Sequence, residues 1–288
     1  MANKQRGVLF AVSASLMFGI SPVFVRLVLD FVNVETMNVL FTVIASACFL
    51  AAFSAFGKTA HFRSIISNRR KVAFMSLFSA AGSLLFTFGI FLYGPVNAAF
   101  LVQFTTVFTI LFGVAFFKDR FTQLEGAGIL LAVAGVFVLA YSNLTLEIVS
   151  TLVLLVSALF FALANSLSKV YVRNVNPVAL AGGNSMFMFL FIFIFAVLTS
   201  KLETAFPSVT LVYAFLGAVT GVVLSFILFF KALQVFEVSK TATIRTIEPF
   251  LTAIFSFSIL ALTPTANQLV GGVLIVIGVV TLSLAKGK

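Results

Sequence analysis

An arginine and a glutamate lie three residues apart in an otherwise apolar stretch from Thr241 to Leu260, TATIRTIEPFLTAIFSFSIL. If this stretch crosses a bilayer, Arg245 and Glu248 each cost roughly 2.5–3.5 kcal/mol on insertion scales, so such charges usually face a bundle interior or a substrate path. At this spacing on a helix the two side chains can form an ion pair. Two interpretations remain open: a structural pair that locks the helix against a neighbour, or a site that contacts a solute.

The residues around this pair add polar groups to the same stretch. Pro249 cannot donate to the carbonyl of Arg245, which predicts a helix kink at Pro249 and a carbonyl free for a neighbour, a water or a ligand. Thr241 and Thr252 lie on the same helical stripe as the two charges. A polar stripe on an apolar helix more often lines a cavity than faces lipid. We therefore expect this stripe to bind substrate.

The elements that must position these residues are membrane helices. The chain has 288 residues, 61% hydrophobic and 9% charged, and its mean hydropathy of +1.21 excludes an ordinary soluble domain. Ten apolar runs are each long enough to cross about 30 Å of hydrocarbon, which predicts an all-α integral membrane protein with ten transmembrane helices. The predicted spans lie near 7–29, 35–56, 72–93, 97–117, 124–142, 148–168, 177–199, 208–230, 239–261 and 266–285.

The distribution of basic residues predicts the orientation of these spans. When successive connections are assigned to alternate sides, fifteen Lys and Arg residues fall on one side and only Lys201 on the other. By the positive-inside rule both termini are cytoplasmic. The net charge of +10 then reflects topology, and we expect no nucleic acid as a partner. The expected location is the inner (cytoplasmic) membrane, where a multi-pass chain contacts the lipid bilayer.

The chain contains an internal repeat of about half its length. Each copy holds five predicted spans, and five is odd, so the second copy enters the membrane from the opposite side. This predicts two inverted five-helix repeats, residues 1–144 and 145–288, with a substrate site near the midplane at their interface. A shift of 143 residues aligns Thr122 with Thr265, Gly128 with Gly271, Gly135 with Gly278 and Phe112 with Phe255.

The same shift predicts a central site with two unequal halves. Thr105 and Thr106 align with the Glu248-Pro249 dipeptide, so hydroxyl groups in the fourth span face charges in the ninth. Three amides in apolar spans are further candidates for substrate contact, with interhelical hydrogen bonding as the alternative role. These amides belong to Gln103, Asn165 and Asn184.

Two basic residues inside or at the ends of spans also correspond under the shift. Arg26 lies near the end of the first span and Lys169 near the end of the sixth, at opposite predicted membrane faces. Their long side chains could reach the lipid headgroups. Their equivalent positions in the repeat favour a second interpretation, in which they make gating contacts.

These duplicated motifs resemble a known family. Phe18-Gly19 with Arg26 is echoed by Phe161-Ala162 with Lys169, and Glu248-Pro249 is followed by Thr265, Gln268 and Gly271 at spacings of three. This pattern, with ten spans in two halves, resembles the EamA-type transporters of the drug/metabolite transporter superfamily over nearly the whole chain. The resemblance implies secondary transport of small polar metabolites, commonly export of amino acids or related compounds, by alternating access.

The residue inventory limits the other functions to be considered. Cys48 is the only cysteine and His61 the only histidine, so we expect no metal, no cofactor and no enzyme activity. A cation and an anion at one site suit a small amphoteric solute. Burial favours the protonated form of Glu248 while Arg245 opposes it, which makes a proton the candidate coupling ion. A non-transporting sensor or assembly component, and a facilitative channel, are the alternatives, and both monomer and homodimer remain open.

Overall fold

The structure, a computed structural model, describes residues 2–55, 59–117, 122–139, 144–236, 241 and 244–285. Every regular element among these residues is helical. The π-helix Val219–Leu224 joins two α-helices without a break. In chain order the α-helices are α1 Ala2–Leu29, α2 Val34–Ala55, α3 Thr59–Ser67, α4 Arg69–Leu101, α5 Phe104–Phe117, α6 Gln123–Leu139, α7 Leu144–Tyr171, α8 Pro177–Leu198, α9 Ser208–Ala218, α10 Ser225–Val235, α11 Glu248–Leu260 and α12 Ala266–Ala285.

Within the described residues, six helical segments are long and apolar enough to cross a membrane. They are the long apolar portions of α1, α2, α4, α7 and α8, together with the continuous segment Ser208–Val235. Shorter apolar helices occupy Gly126–Leu139, Glu248–Leu260 and Ala266–Leu282. The described helices thus follow the apolar runs of the sequence, and the prediction of an all-α, multi-pass architecture is confirmed.

The connection predicted between the second and third spans contains a helix of its own. Helix α3 occupies Thr59–Ser67, and Ile65 on this helix is 6% exposed. Ile65 lies against Gly183 of α8, next to Val72 at the start of α4. An apolar side chain near the bundle can be buried in this way, so the connection packs on the bundle as a short helix.

The third and fourth predicted spans are separated at Gly94, where a connection was expected, but the fourth span is itself interrupted. Helix α4 runs past the predicted end of the third span, and its backbone leaves the helical conformation at Gly94 (φ 80°, ψ 165°). This left-handed region favours glycine, and Pro95, which follows, lacks the N–H that an uninterrupted helix would need. The backbone breaks again at the turn formed by Val102 and Gln103, after which α5 begins. The fourth predicted span is therefore discontinuous.

The ninth predicted span is also discontinuous. Ile244 and Arg245 are helical, Thr246 and Ile247 form a turn, and α11 begins at Glu248. Pro249 therefore stands in the first turn of a new helix and does not kink a continuous one. Proline suits this position because N–H groups in the first turn have no intrahelical acceptor.

Helices α6 and α12 cross in direct backbone contact. A Cβ added at Gly135 would lie 2.6 Å from the Gly271 carbonyl oxygen, and one at Gly128 would lie 2.8 Å from the Gly278 carbonyl oxygen. The numbers rise on one helix as they fall on the other, so the two helices are antiparallel. The repeat aligns Gly128 with Gly271 and Gly135 with Gly278, so each contact maps onto the other, as a two-fold axis requires.

The remaining helices pack around the centre of the molecule. Helix α4 packs on α7 and α8, α2 packs on α8 and α9, and α1 packs on α9, α10 and α11. Helices of the first half thus pack directly on helices of the second half. A cavity lies between the two halves. Residues at the breaks after α4 and before α11 line this cavity.

The α6–α12 crossing predicts that alanine is not tolerated at Gly135. Alanine is about 1 kcal/mol better than glycine in a helix interior, but its Cβ would overlap backbone atoms of α12, which cannot rotate away. We expect Gly135→Ala to lower the free energy of unfolding by about 1–3 kcal/mol, measured by denaturant unfolding in mixed micelles. Gly271→Ala should have a similar effect. Ala134→Leu, at an exposed position of α6, is the control, and equal stability of all three variants would contradict the crossing.

Candidate functional site

A cavity of about 170 Å³ lies between the two halves of the bundle. One water molecule needs only about 10–15 Å³ of such space, so the cavity has room for a small solute. Its wall is mostly apolar, with phenylalanine and aliphatic side chains from both halves. The polar and charged residues in the wall are Ser21, Asn38, Thr42, Ser83, Thr87, Gln103, Thr105, Thr106, Thr109, Asn165, Arg245, Glu248 and Thr252.

Arg245 and Glu248 form a bidentate ion pair in the wall of this cavity. Arg245 Nε donates to Glu248 Oε1 at 2.5 Å, and Arg245 Nη2 donates to Glu248 Oε2 at 3.1 Å. The two side chains are 20% and 8% exposed. Two parallel hydrogen bonds between ionised partners make a strong and directional contact. The predicted pair thus exists across the break before α11, with both side chains at the cavity.

The guanidinium of Arg245 also lies in a corner between two aromatic rings. Arg245 Cζ is 4.5 Å from the ring centroid of Phe18 and 4.7 Å from that of Phe229. The two rings meet edge to face, with centroids 6.2 Å apart and planes at 77°. A cation over an aromatic face is attracted by the ring quadrupole. Glu248 and these two rings therefore hold Arg245 from different sides.

The local backbone places the two charges where α11 begins. Glu248 is the first residue of this helix, and a carboxylate in the first turn is stabilised by the helix dipole. Thr252, one turn later, donates its hydroxyl to the carbonyl of Gly19 in α1 at 2.8 Å. This hydrogen bond joins α11 to α1 beside Phe18. The broken helix and its neighbour are thereby fixed around the ion pair.

The π-helix Val219–Leu224 packs on α1 and borders the same cavity through Gly221 and Val222. Gly221 packs closely on Ser21, another cavity residue. π-Helical turns are rare and occur often at functional sites. Three irregular backbone segments therefore border or adjoin the cavity: this π-helix and the two helix breaks.

Most of the predicted site residues lie together in the cavity wall. Gln103, Thr105, Thr106 and Asn165 line it with the ion pair. Gln103 is in the turn between α4 and α5, and the hydroxyl oxygen of Thr105 is buried without a hydrogen-bond partner among the described residues. The predicted hydroxyls of the first half thus line the same cavity as the predicted charges of the second half.

Four predicted residues lie away from the cavity wall. Thr241 is fully buried outside it. Asn184 accepts a hydrogen bond from Ser76 at 2.9 Å and its Nδ2 contacts Met188 Sδ at 3.3 Å, which joins α8 to α4. Arg26 pairs with Asp30 at 3.0 Å on its own helix. Lys169 donates to the carbonyls of Leu233 and Phe236 at the end of α10, at 2.8 and 2.6 Å. The gating role of Arg26 and Lys169 stays a prediction.

Sequence reasoning overlooked two groups of cavity residues. One is a polar cluster on α2 and α4, in which Ser83 donates to Asn38 at 2.8 Å. The other consists of four phenylalanines, Phe18, Phe86, Phe161 and Phe229. Phe18 and Phe161 belong to the repeated motif but were not predicted to line the site. The signal for the second group was present, because a shift of 143 residues aligns Phe18 with Phe161 and Phe86 with Phe229. The chain contains 38 phenylalanines, so the alignment of these four did not distinguish them from the others.

At one end of the bundle, polar contacts join the first half to the second. Asn33, between α1 and α2, donates to the Lys201 carbonyl at 2.7 Å and to Glu203 Oε1 at 3.1 Å. Lys201 Nζ lies 3.2 Å from Glu35 Oε1. The Glu203 backbone N–H donates to Thr36 Oγ1 at 2.9 Å. These contacts lie just beyond the cavity residue Met37 and hold this end of the two halves together.

A bundle of apolar helices around an internal polar cavity, bordered by broken helices, is the architecture of a membrane transporter for small molecules. The EamA-like transporter family matches residues 5–141 and again residues 149–284. The chain therefore belongs to the EamA-like transporter family, and it is a multi-pass membrane transporter of the drug/metabolite type. Its expected partners in this role are a lipid bilayer and a small-molecule substrate.

The fold is shared with a protein of known structure. A solved crystal structure, described only as that of a protein, matches with a TM-score of 0.71 at 15% identity. The match covers 98% of this chain and 99% of that chain. At this identity the likeness shows the fold alone. No curated protein sequence matches the chain.

The buried ion pair predicts a large energetic coupling between its members. Glu248→Gln leaves the guanidinium of Arg245 without its anion, which we expect to lower the free energy of unfolding by about 3 kcal/mol. The double variant Arg245→Gln/Glu248→Gln should lose less than the sum of the two single variants, with a coupling energy of about 1–3 kcal/mol. Denaturant unfolding of all four proteins in mixed micelles measures the cycle.

The control is the exposed pair of Arg26 and Asp30, whose members are 35% and 46% exposed. Asp30→Asn should change the free energy of unfolding by less than about 1 kcal/mol, because solvent screens this pair. Additive effects of the Arg245 and Glu248 variants would contradict the pairing.

Proposed function

We propose that this protein is a secondary transporter that moves a small polar or amphoteric metabolite, an amino acid or a related compound, out of the cell by alternating access. One observation carries the proposal: the Arg245–Glu248 ion pair is in the wall of a cavity between the two repeats. Charged groups at membrane depth usually mark a substrate or ion path. Arg245, Glu248, Gln103, Thr105, Thr106 and Asn165 form the proposed binding site, with Thr252 joining it to α1.

The charge balance of the site favours an amphoteric solute. The ion pair is neutral overall, so these two groups together add no net charge to the cavity. A carboxylate can replace Glu248 as the partner of Arg245, because the planar guanidinium binds carboxylates through two parallel hydrogen bonds. A solute that brings both a carboxylate and a cationic group keeps the cavity neutral when it binds. A simple anion would add an uncompensated negative charge to the cavity.

Alternating access is supported by the arrangement of the two halves. The proposed topology has ten spans in two inverted repeats, residues 1–144 and 145–288, with both termini in the cytoplasm and the chain in the inner membrane. In this topology the contacts of Asn33 and Thr36 with the segment from Lys201 to Glu203 lie on the outer side. Release to the outside then requires these contacts between the halves to separate.

Proton coupling follows from the same exchange of partners. When a substrate carboxylate takes the guanidinium of Arg245, Glu248 loses its cationic partner and can exchange a proton. Glu248 is therefore the proposed proton acceptor and a proton the proposed coupling ion. The cycle requires only one copy of the chain, so it operates equally in a monomer or in a homodimer.

Flux measurements test this proposal. Purified protein in liposomes should move a small zwitterionic solute in a panel of amino acids, and an imposed pH gradient should change the rate. Arg245→Gln and Glu248→Gln should each reduce flux at least tenfold per folded protein, because each removes one member of the binding pair. The amount of folded protein is measured by size-exclusion chromatography of each variant.

Lys231→Gln is the matched control for Arg245→Gln. Lys231 Nζ also lies over a phenylalanine ring, 5.3 Å from the centroid of Phe10, but it is not in the cavity wall. Its replacement removes a cation from an aromatic face and should leave flux unchanged. Wild-type flux in both site variants would refute the assignment of the site, and rates indifferent to the pH gradient would refute proton coupling.

A further inference from the structure

We propose that the corner between the rings of Phe86 and Phe161 is a second subsite of the cavity, which receives the cationic nitrogen of the transported solute. This inference rests on the proposed function, because it names the chemical group that the cavity selects. It is carried by a comparison of the two aromatic corners that line the cavity.

The two aromatic corners are equivalent under the internal repeat. The 143-residue shift aligns Phe18 with Phe161 and Phe86 with Phe229. The ring centroids of Phe86 and Phe161 lie 6.1 Å apart with planes at 71°, and those of Phe18 and Phe229 lie 6.2 Å apart with planes at 77°. Each corner takes one ring from each half. The molecule thus builds the same aromatic geometry twice, and all four rings line the cavity.

Only one of these two corners holds a cation from the protein. Arg245 Cζ lies within 4.7 Å of both ring centroids in the corner of Phe18 and Phe229. The shift aligns Arg245 with Val102, a cavity residue that has no charge to place against the other corner. Within the part of the chain that the structure describes, no lysine or arginine lies over the Phe86 or Phe161 ring.

The cavity residues that the repeat and the chain associate with the second corner are neutral. Thr105 stands at the position equivalent to Glu248, and its buried hydroxyl oxygen has no hydrogen-bond partner among the described residues. Asn165, one turn after Phe161 on α7, also lines the cavity. Without a carboxylate, this corner favours a weakly hydrated organic cation, since aromatic faces bind such cations without displacing a counter-ion. A compact metal cation would lose more hydration than these groups replace.

The two corners together define the polarity of the solute. The corner of Phe18 and Phe229 presents the fixed cation Arg245, which binds an anionic group. The corner of Phe86 and Phe161 presents two aromatic faces without a cation, which bind a cationic group. A solute with a carboxylate at one end and an ammonium at the other fits both. The cavity thereby discriminates zwitterions from simple anions, and the discrimination depends on the first-half ring Phe86 and the second-half ring Phe161.

Binding of choline tests the subsite. Choline and 3,3-dimethylbutan-1-ol have nearly the same shape, but only choline carries a charge. Isothermal titration calorimetry of the purified wild-type protein should show tighter binding of choline. Phe86→Leu and Phe161→Leu keep apolar bulk but remove the aromatic face, and each should weaken choline binding about five- to thirtyfold. Binding of the neutral alcohol should change much less.

Incorporation of 3,4,5-trifluorophenylalanine at position 86 or 161 gives a second measurement. Fluorination nearly keeps the size of the ring but withdraws charge from its face, so it should weaken choline binding even if a leucine variant does not fold. Phe74→Leu is the matched control. Phe74 and Phe78 form an edge-to-face pair on α4 with centroids 5.1 Å apart, and neither lines the cavity. Phe74→Leu should leave choline affinity unchanged.

Equal affinity for choline and its neutral analogue would overturn the inference, as would unchanged choline affinity after fluorination at both positions. These outcomes are independent of the flux measurements. Flux that depends on Arg245 and Glu248, together with no preference for choline, would refute the second subsite alone. A preference for choline that requires Phe86 and Phe161, in a protein that moves no solute, would refute the transport cycle and leave the subsite standing.

Discussion

The guanidinium of Arg245, largely buried in the wall of the cavity, is the constraint on which the arrangement of the site depends. An uncompensated charge in such surroundings costs several kcal/mol, so it requires partners with good geometry. Glu248 supplies two hydrogen bonds from the first turn of α11. Phe18 of α1 and Phe229 of α10 supply aromatic faces. Three helices from both halves of the chain therefore meet at one side chain, and the cavity forms beside it.

The internal repeat explains why the site has two related sides with different chemistry. The backbone is repeated: α6 and α12 cross through equivalent glycines, and a helix break follows Leu101 as another precedes Glu248. The aromatic rings are repeated too. The charges are not, because Val102 and Thr105 stand where the second half has Arg245 and Glu248. A symmetric scaffold with one charged side can hold an asymmetric solute in one orientation.

The sequence predicted the helices, the repeat and the central ion pair more reliably than the places where the backbone of a span is interrupted. The apolar runs predict helices because backbone polar groups must be satisfied internally in a bilayer. The breaks at Val102 and Thr246 were not predicted, since a broken helix and a continuous one have the same apolar composition. Asn165 and Asn184 show the same limit. Both are amides in apolar spans, yet only Asn165 lines the cavity, while Asn184 joins α8 to α4.

By itself the sequence determined the membrane class, the duplication of the chain and the pairing of Arg245 with Glu248, because these depend on composition, on a fixed shift and on a spacing of three residues. Only the tertiary structure decided which of the many phenylalanines surround the charge and which polar residues share one cavity. Phe18 and Phe229 are distant in the chain, and their contact depends on how α1 packs against α10. Packing between helices follows from the shapes of both surfaces, and the pattern along either helix contains only half of that information.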